Sequence, residues 1–279
     1  MNILIANVGN VRSNELKALA TALGKKHSVT IASMAIDSSY KGQAFSYSGV
    51  PVCANYILYS EGKSKSERIR AFEFYSTPAD AVSVVLGEIM EHEHPDIVIC
   101  GINNGIHMGQ DIYCSSNIGM AMESVYFGVP AIAVGIEKRI GGHSEMECAN
   151  AAKFIEKNIE KLATLKLPKH TFLNINIPTV DSYSKLKGVK ITHLGWLNLI
   201  NEFEEKIDHK GQKYYWAKKV ERKSEVEEGT AMHAYENGYV TITPINYDAT
   251  SYEELRRYER LKAAPSDDIT PAIKQEVAQ

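Results

Sequence analysis

Pro95-Asp96-Ile97-Val98-Ile99-Cys100-Gly101-Ile102-Asn103-Asn104-Gly105 is the stretch whose reading decides the fold. The run from Ile97 to Cys100 is too uniformly apolar for a strand with one wet face, so it reads as a buried strand of a parallel sheet. Pro95 ends the helical pattern of residues 79–91 before it, and the Gly- and Asn-rich segment 101–109 follows it. The same alternation appears on both sides. Towards the N-terminus, residues 2–6 form a short apolar strand followed by Asn7-Val8-Gly9-Asn10. Ser13 or Asn14 then caps a helix to about Leu23, with Leu16, Leu19, Ala20 and Leu23 at helical spacing and Gly24 as its stop. Residues 29–32 make the second strand. Towards the C-terminus come a helix over 115–126, a strand over 131–136 and an amphipathic helix over 145–165. This β-loop-α-β order predicts an α/β fold, a mostly parallel sheet with helices on both faces.

Past about residue 170 the pattern changes. Residues 172–177, 189–194, 214–218 and 239–244 are strand-like with few helices between them, which predicts a β-rich extension reaching away from the core. Residues 251–262 are helical and 263–279 read as a tail. The expected organisation is a single domain over 1–262, with an α/β core at 1–178, a β-rich extension and C-terminal helix at 179–262, and the tail beyond. Gly62-Lys63-Ser64-Lys65-Ser66 is a polar loop, solvated or phosphate-binding.

Thirty-one basic and 34 acidic residues leave a formal charge of −3, which lacks the basic bias of nucleic-acid duplex binders. No apolar run reaches the roughly 20 residues of a membrane helix. The opening residues lack the charged n-region, apolar stretch and cleavage site of a signal peptide. Cys53, Cys100, Cys114 and Cys148 are widely spaced with no C-x-x-C pair. A soluble protein with reduced thiols, in the cytoplasm, is the expectation.

Ligands of open parallel sheets bind beyond the carboxyl ends of the strands, where strand order reverses. Asn7–Asn10, residues 33–42 and residues 101–109 occupy such ends and are rich in short polar side chains and glycine. A helix starts near Ser115-Ser116-Asn117, and its free N–H groups favour a phosphate or carboxylate. Each loop alone is equally at home as an ordinary turn or cap. No G-x-G-x-x-G, P-loop, G-x-S-x-G or H-E-x-x-H occurs.

At these loops the chain resembles the SurE family of metal-dependent 5′-nucleotidases. Met1-Asn2-Ile3-Leu4-Ile5-Ala6-Asn7 stands for the family's opening strand, and Ser76-Thr77-Pro78-Ala79-Asp80 is similar to its G-T-P-x-D. The Pro95–Gly105 stretch is close to P-D-I-V-V-S-G-I-N-x-G. Ser115, Met122-Glu123 and Phe127-Gly128-Val129-Pro130-Ala131-Ile132-Ala133-Val134 continue the register. Leu173-Asn174-Ile175-Asn176-Ile177-Pro178 and Gly238-Tyr239-Val240-Thr241-Ile242-Thr243-Pro244 match late blocks, so the resemblance covers about residues 1–255. It implies a SurE-like, Rossmann-like fold and a homodimer or tetramer with exchanged C-terminal elements. The implied activity is that of a 5′-nucleotidase or acid phosphatase, a phosphoric monoester hydrolase acting on nucleoside 5′-monophosphates with Mg²⁺ or Mn²⁺.

The residue correspondences are uneven. The family's N-D-D-G, whose two Asp side chains hold the metal, is here Asn7-Val8-Gly9-Asn10. The family's other metal ligands correspond to Asn103 and to Ser38 or Ser39, of which Ser39 is assigned, with Lys41-Gly42 offering a competing register. The S-G-T phosphate loop is Ser115-Ser116-Asn117, and His107 and Ala231 replace a family Asn and Asp. Asn7, Gly9, Asn104, Gly105, Ser115, Ser116 and Asn117 are the implied phosphate-binding positions; no catalytic residue is assigned. Hard cations want carboxylate oxygens, so the remaining set predicts weak metal binding. Three routes remain open: a softer metal at His107, a carboxylate from Asp37 or Asp111, or ligand binding without turnover. An unrelated Rossmann-like small-molecule enzyme is a further alternative.

Overall fold

A computed structural model describes residues 1–46, 49–60, 69–196, 199–221 and 226–260. The chain divides into two compact units, Met1–Ile245 and Asn246–Gln279. In the first unit the elements are β1 (Asn2–Asn7), α1 (Asn14–Gly24), β2 (Ser28–Met34), β3 (Cys53–Ser60), β4 (Ile69–Tyr75), α2 (Pro78–Val84), β5 (Ile97–Asn104), α3 (Ser116–Tyr126) and β6 (Ala131–Ile136). They continue with α4 (Glu145–Ala163), β7 (Thr171–Asn176), β8 (Val189–Ile191), β9 (Leu199–Ile207), β10 (Lys213–Glu221), α5 (Ala231–Glu236) and β11 (Val240–Asn246). The second unit contains α6 (Tyr252–Arg260). Among the described residues no helix is long and apolar enough to cross a membrane.

Nine strands form one sheet in the order β3-β4-β2-β1-β5-β6-β7-β11-β8. β1 pairs in parallel with β2 and β5, and β5–β6, β6–β7, β2–β4 and β11–β8 are parallel too. The β3–β4 ladder, at one edge, is antiparallel. From β1 the chain builds outward through β2 on one side and then returns to β5 on the other. The order therefore reverses between β1 and β5.

Alternation along β1 explains why both faces must be covered. Ile3 and Ile5 pack with Leu16, Leu19 and Leu23 of α1 and Ile155 and Ile159 of α4. Leu4 and Ala6 pack on the opposite face with Val82 of α2 and Ile118 and Met120 of α3. Side chains point alternately to the two faces of a strand, so a run apolar at every position needs helices on both. Each fully buried Leu or Ile contributes roughly 1.5–3 kcal/mol. The helices begin at side-chain caps: Ser13 accepts from the Leu16 N–H, Ser115 from Ile118 and Ser144 from Glu147. α2 opens with a capping box between Thr77 and Asp80 and runs on as a wider π-type turn over Val85–Ile89.

β3 and β4 go beyond the sequence reading, which names only the polar loop at 62–66; that loop lies outside the described residues, as does the 263–279 tail. β8 and β11 rejoin the main sheet, while β9 and β10 form an antiparallel two-stranded sheet of their own.

Candidate functional site

A cavity of about 460 Å³ lies at the carboxyl ends of β1, β2 and β5, at the strand-order reversal. Asn7, Gly9, Ser39, Asn103, Asn104, Ser115, Ser116 and Asn117 all line it; Gly105 does not. Their side chains are engaged very differently.

Asn7 is buried and folded onto its own turn. Its Oδ1 accepts from the Gly9 N–H at 2.9 Å and its Nδ2 donates to Ile102 O at 3.4 Å, tying the β1 turn to β5. Val8 is 3% exposed; it lines the cavity and packs with Leu4, Ala6, Ala32 and Met34. Its carbonyl accepts from the Ser38 N–H at 3.0 Å. Gly9 has room for a side chain, since an added Cβ would meet only Asn7 Oδ1, at 3.5 Å.

Asn103 donates from Nδ2 to Gly105 O at 2.9 Å and approaches His107 Nε2 at 3.2 Å. An amide nitrogen can only donate, so Nε2 accepts and the neutral ring carries its proton on Nδ1. That leaves Asn103 Oδ1 as its polar atom for a ligand. His107 is held by Asn174 and Asn176, whose amides donate to its carbonyl, while Asn176 Oδ1 accepts from its N–H. Burial drives the imidazole down to about 4, with the Asn174 side chain opposing. His107 Nδ1 and Asn174 Oδ1 are both buried without a hydrogen-bond partner of good geometry.

Asn104 spends both amide atoms on the backbone of Arg139, accepting from its N–H at 2.8 Å and donating to its carbonyl at 3.0 Å. It fixes the loop after β6, which brings Lys138 to the cavity. Ser115 is the N-cap of α3. Ser116 is 1% exposed, and its hydroxyl donates to Ser38 O at 2.7 Å and accepts from the Lys41 N–H at 2.8 Å. It pins the loop after β2 and presents no free donor. Gly119 lets that loop pass close to α3: a Cβ there would lie 2.4 Å from Gly42 O. Asn117 is equally buried, and its Oδ1 has no partner.

The structure adds residues that the motifs do not point to. Tyr40 and Lys138 line the cavity, with the Lys138 ammonium 5.3 Å from the centre of the Tyr40 ring. Glu15 lines it too and lies 3.0 Å from His143 Nδ1 as a buried pair. Lys138 follows a parallel strand, so the strand-end rule applied to β6 finds it; no sequence signal marks Tyr40 or the Glu15–His143 pair.

The residues present do not fit a tightly held hard divalent cation. Val8 lines the cavity with a side chain that has no ligand atom, Gly9 has no side chain, and the Ser39 hydroxyl donates to Asp37 Oδ1 at 2.6 Å. Asp37 and Asp111 line the cavity, yet among the described residues no group of three His, Cys, Asp or Glu side chains is placed to hold a metal.

Fold and cavity define the class: a doubly wound α/β protein with a cavity at the switch point of its mostly parallel sheet, the place where ligands of such sheets bind. The chain belongs to the SurE family, whose model, described as "Survival protein SurE", matches residues 3–200. It is 34% identical over 255 residues to a protein named 5′-nucleotidase SurE from Thermoanaerobacter sp. (strain X514), covering 91% of this chain and 96% of that one. A protein of the same name from Syntrophotalea carbinolica is 30% identical over 269 residues, 96% of this chain and 100% of the relative. The crystal structure of SurE protein from Aquifex aeolicus superposes with a TM-score of 0.74 at 28% identity, covering 94% of this chain and 99% of that one.

Proposed function

We propose that the cavity binds a nucleoside 5′-monophosphate and that this chain does so without efficient turnover. The observation that carries the binding reading is the start of α3 in the cavity wall. Ser115 caps the helix, and the N–H groups of Ser116 and Asn117, in its first turn, have no intrahelical acceptor. A helix N-terminus of this kind favours a phosphate without any metal. Lys138 adds a cation, while Glu15, Asp37 and Asp111 on the same lining limit the affinity for a dianion. The ligand class is the one that the name of the relatives, 5′-nucleotidase, implies.

Hydrolysis of the phosphate ester is the second reading, favoured by 34% identity over 91% of the chain to a protein named as a 5′-nucleotidase. In such a phosphatase Mg²⁺ or Mn²⁺ would polarise the phosphate and activate water. What weighs against it here is that Val8 and Gly9, both lining the cavity, offer no side-chain ligand atom. Asn103 and Ser39 are the family's remaining ligand positions, and they offer one amide oxygen and one hydroxyl.

The two readings separate in titration and phosphate-release assays. Wild type is expected to bind nucleoside 5′-monophosphates, with Ser115→Ala weakening them roughly 2- to 12-fold, one neutral hydrogen bond's worth. Phosphate release with Mn²⁺ should stay near background. Val8→Asp with Gly9→Asp should raise Mn²⁺ affinity and phosphate release together. A Mn²⁺-dependent rate in the wild type matching that of a 5′-nucleotidase relative would overturn the binding-only reading, and absence of nucleotide binding would overturn both.

We also infer self-association through the β9–β10 sheet, supported by its exposed Phe203, Ile207, Tyr215 and Trp216. The proposed location is the cytoplasm, which four free thiols suit.

A further inference from the structure

We propose that Tyr40 is the residue on which the planar base of the ligand stacks, so that this chain selects nucleotides over simpler phosphate esters. The proposal rests on the nucleotide-binding reading above and assigns its base-recognising residue.

Three independent observations converge on Tyr40. Its backbone lies in the left-handed region, at φ +61°. A loop that merely needs this conformation is served by glycine or asparagine, and a bulky aromatic side chain there is an outlier. The other described non-glycine residue with positive φ is His170, a type that tolerates the region. The strained conformation is also held from outside. Ser116 Oγ bonds to Ser38 O and Lys41 N–H, one on each side of Ser39-Tyr40, and the Gly42 N–H donates to Cys114 O at 3.0 Å. The anchors are thus the start of α3 and the segment leading into it, the same helix terminus that faces the phosphate site.

The third observation is what this clamp displays. Tyr40 lines the cavity and is 47% exposed, although the Ser38 and Ser116 contact that anchors its loop is buried. The Lys138 ammonium lies 5.3 Å from the ring centre, a cation–π contact at the cavity wall. Every base has a π-face that an aromatic side chain can stack on, whatever its hydrogen-bonding edge. Phosphate at the start of α3 and base on Tyr40 place the ends of one mononucleotide on elements joined through Ser116.

The test compares adenosine 5′-monophosphate, ribose 5-phosphate and adenosine in calorimetric titrations of the full chain. The variants are Tyr40→Ala, Tyr40→Gly, which removes the ring while relieving the backbone, and Tyr40→Phe, which keeps the stacking face. Circular dichroism checks that each folds. Wild type should bind adenosine 5′-monophosphate roughly 5- to 150-fold more tightly than ribose 5-phosphate, the range of one stacked base. That preference should vanish in the Ala and Gly variants and persist in the Phe variant, with ribose 5-phosphate unaffected throughout. A preference absent from the wild type, or surviving in Tyr40→Gly, overturns the role of Tyr40 while leaving the phosphate site standing. Tyr40-dependent binding of adenosine with no binding of either phosphate ester supports the stacking platform and overturns the phosphate reading. A wild type that binds none of the three overturns both.

Discussion

His107 ties the stability of this chain to acidity. Its imidazole is held at about 4 in the folded chain, against about 6.5 for an unperturbed ring. Between those values the unfolded chain takes up a proton that the folded chain refuses. Stability should therefore be unaffected by this group above about pH 6.5 and fall as pH drops towards 4, by roughly 2 kcal/mol at pH 5. Burial lowers His27 too, which adds a loss of the same sign, so the informative quantity is a difference. Urea unfolding should show the wild type losing roughly 2 kcal/mol more than His107→Asn between pH 7 and pH 5. Equal losses would mean that the ring protonates in place. At this scale the sequence was a partial guide. Asn103, Ser115 and Asn117 follow from strand-end and helix-start chemistry, and they do line the cavity. Nothing in the one-dimensional pattern separates Ser115 from Ser116, yet the first caps its own helix and the second serves a loop 75 residues away. Tyr40 was illegible because its φ and its neighbours belong to the folded chain alone.

Ser116 shows how one hydroxyl joins two elements. It ties α3 to the loop after β2, and Gly119, one turn further along, lets the two backbones touch. Ser116→Ala should destabilise the chain by roughly 1–3 kcal/mol, because it strands the buried Ser38 carbonyl contact and the part-buried Lys41 N–H. Limited proteolysis should also cut faster between residues 38 and 42. A variant with wild-type unfolding and an unchanged cleavage pattern would show that the loop holds itself. Elements with local signals were the legible ones: α1, α3 and α4 begin at Ser13, Ser115 and Ser144 and carry apolar residues at helical spacing. β3 and β4 were not read, because β3 is placed by its pairing with β4 and β4 by its pairing with β2, and the burial along β4 is mixed. β8 is only three residues long and exposed, and its place in the sheet is set by Val240–Ile242 of β11, far along the chain.

The first unit as a whole combines a large two-faced core with one sheet that has no core of its own. In the β9–β10 hairpin, Trp216 lies opposite Glu204 and Phe203 opposite Ala217, so each face mixes aromatic and charged groups. A lone two-stranded sheet is marginal in water, and Phe203 and Trp216 are 64% and 60% exposed. Sedimentation should show a dimer or larger species at micromolar concentration, and Phe203→Lys with Trp216→Lys should shift it to monomer without lowering the main unfolding transition. A monomeric wild type would refute the role given to the hairpin. The sheet order has a different consequence, in the time domain. Asn2 and Asp96 are bonded across 94 residues of sequence, and Asn7 and Ile102 across 95. Closing so long a loop before any contact rewards it makes the β1–β5 junction a slow, late event in folding. The cavity straddles that junction, so its walls on β1 and β5 must wait for a strand pairing that spans more than 90 residues. A ligand therefore meets no partial site on a half-folded chain, and recovery of binding after denaturation tracks the last step of refolding, well after the helices have formed.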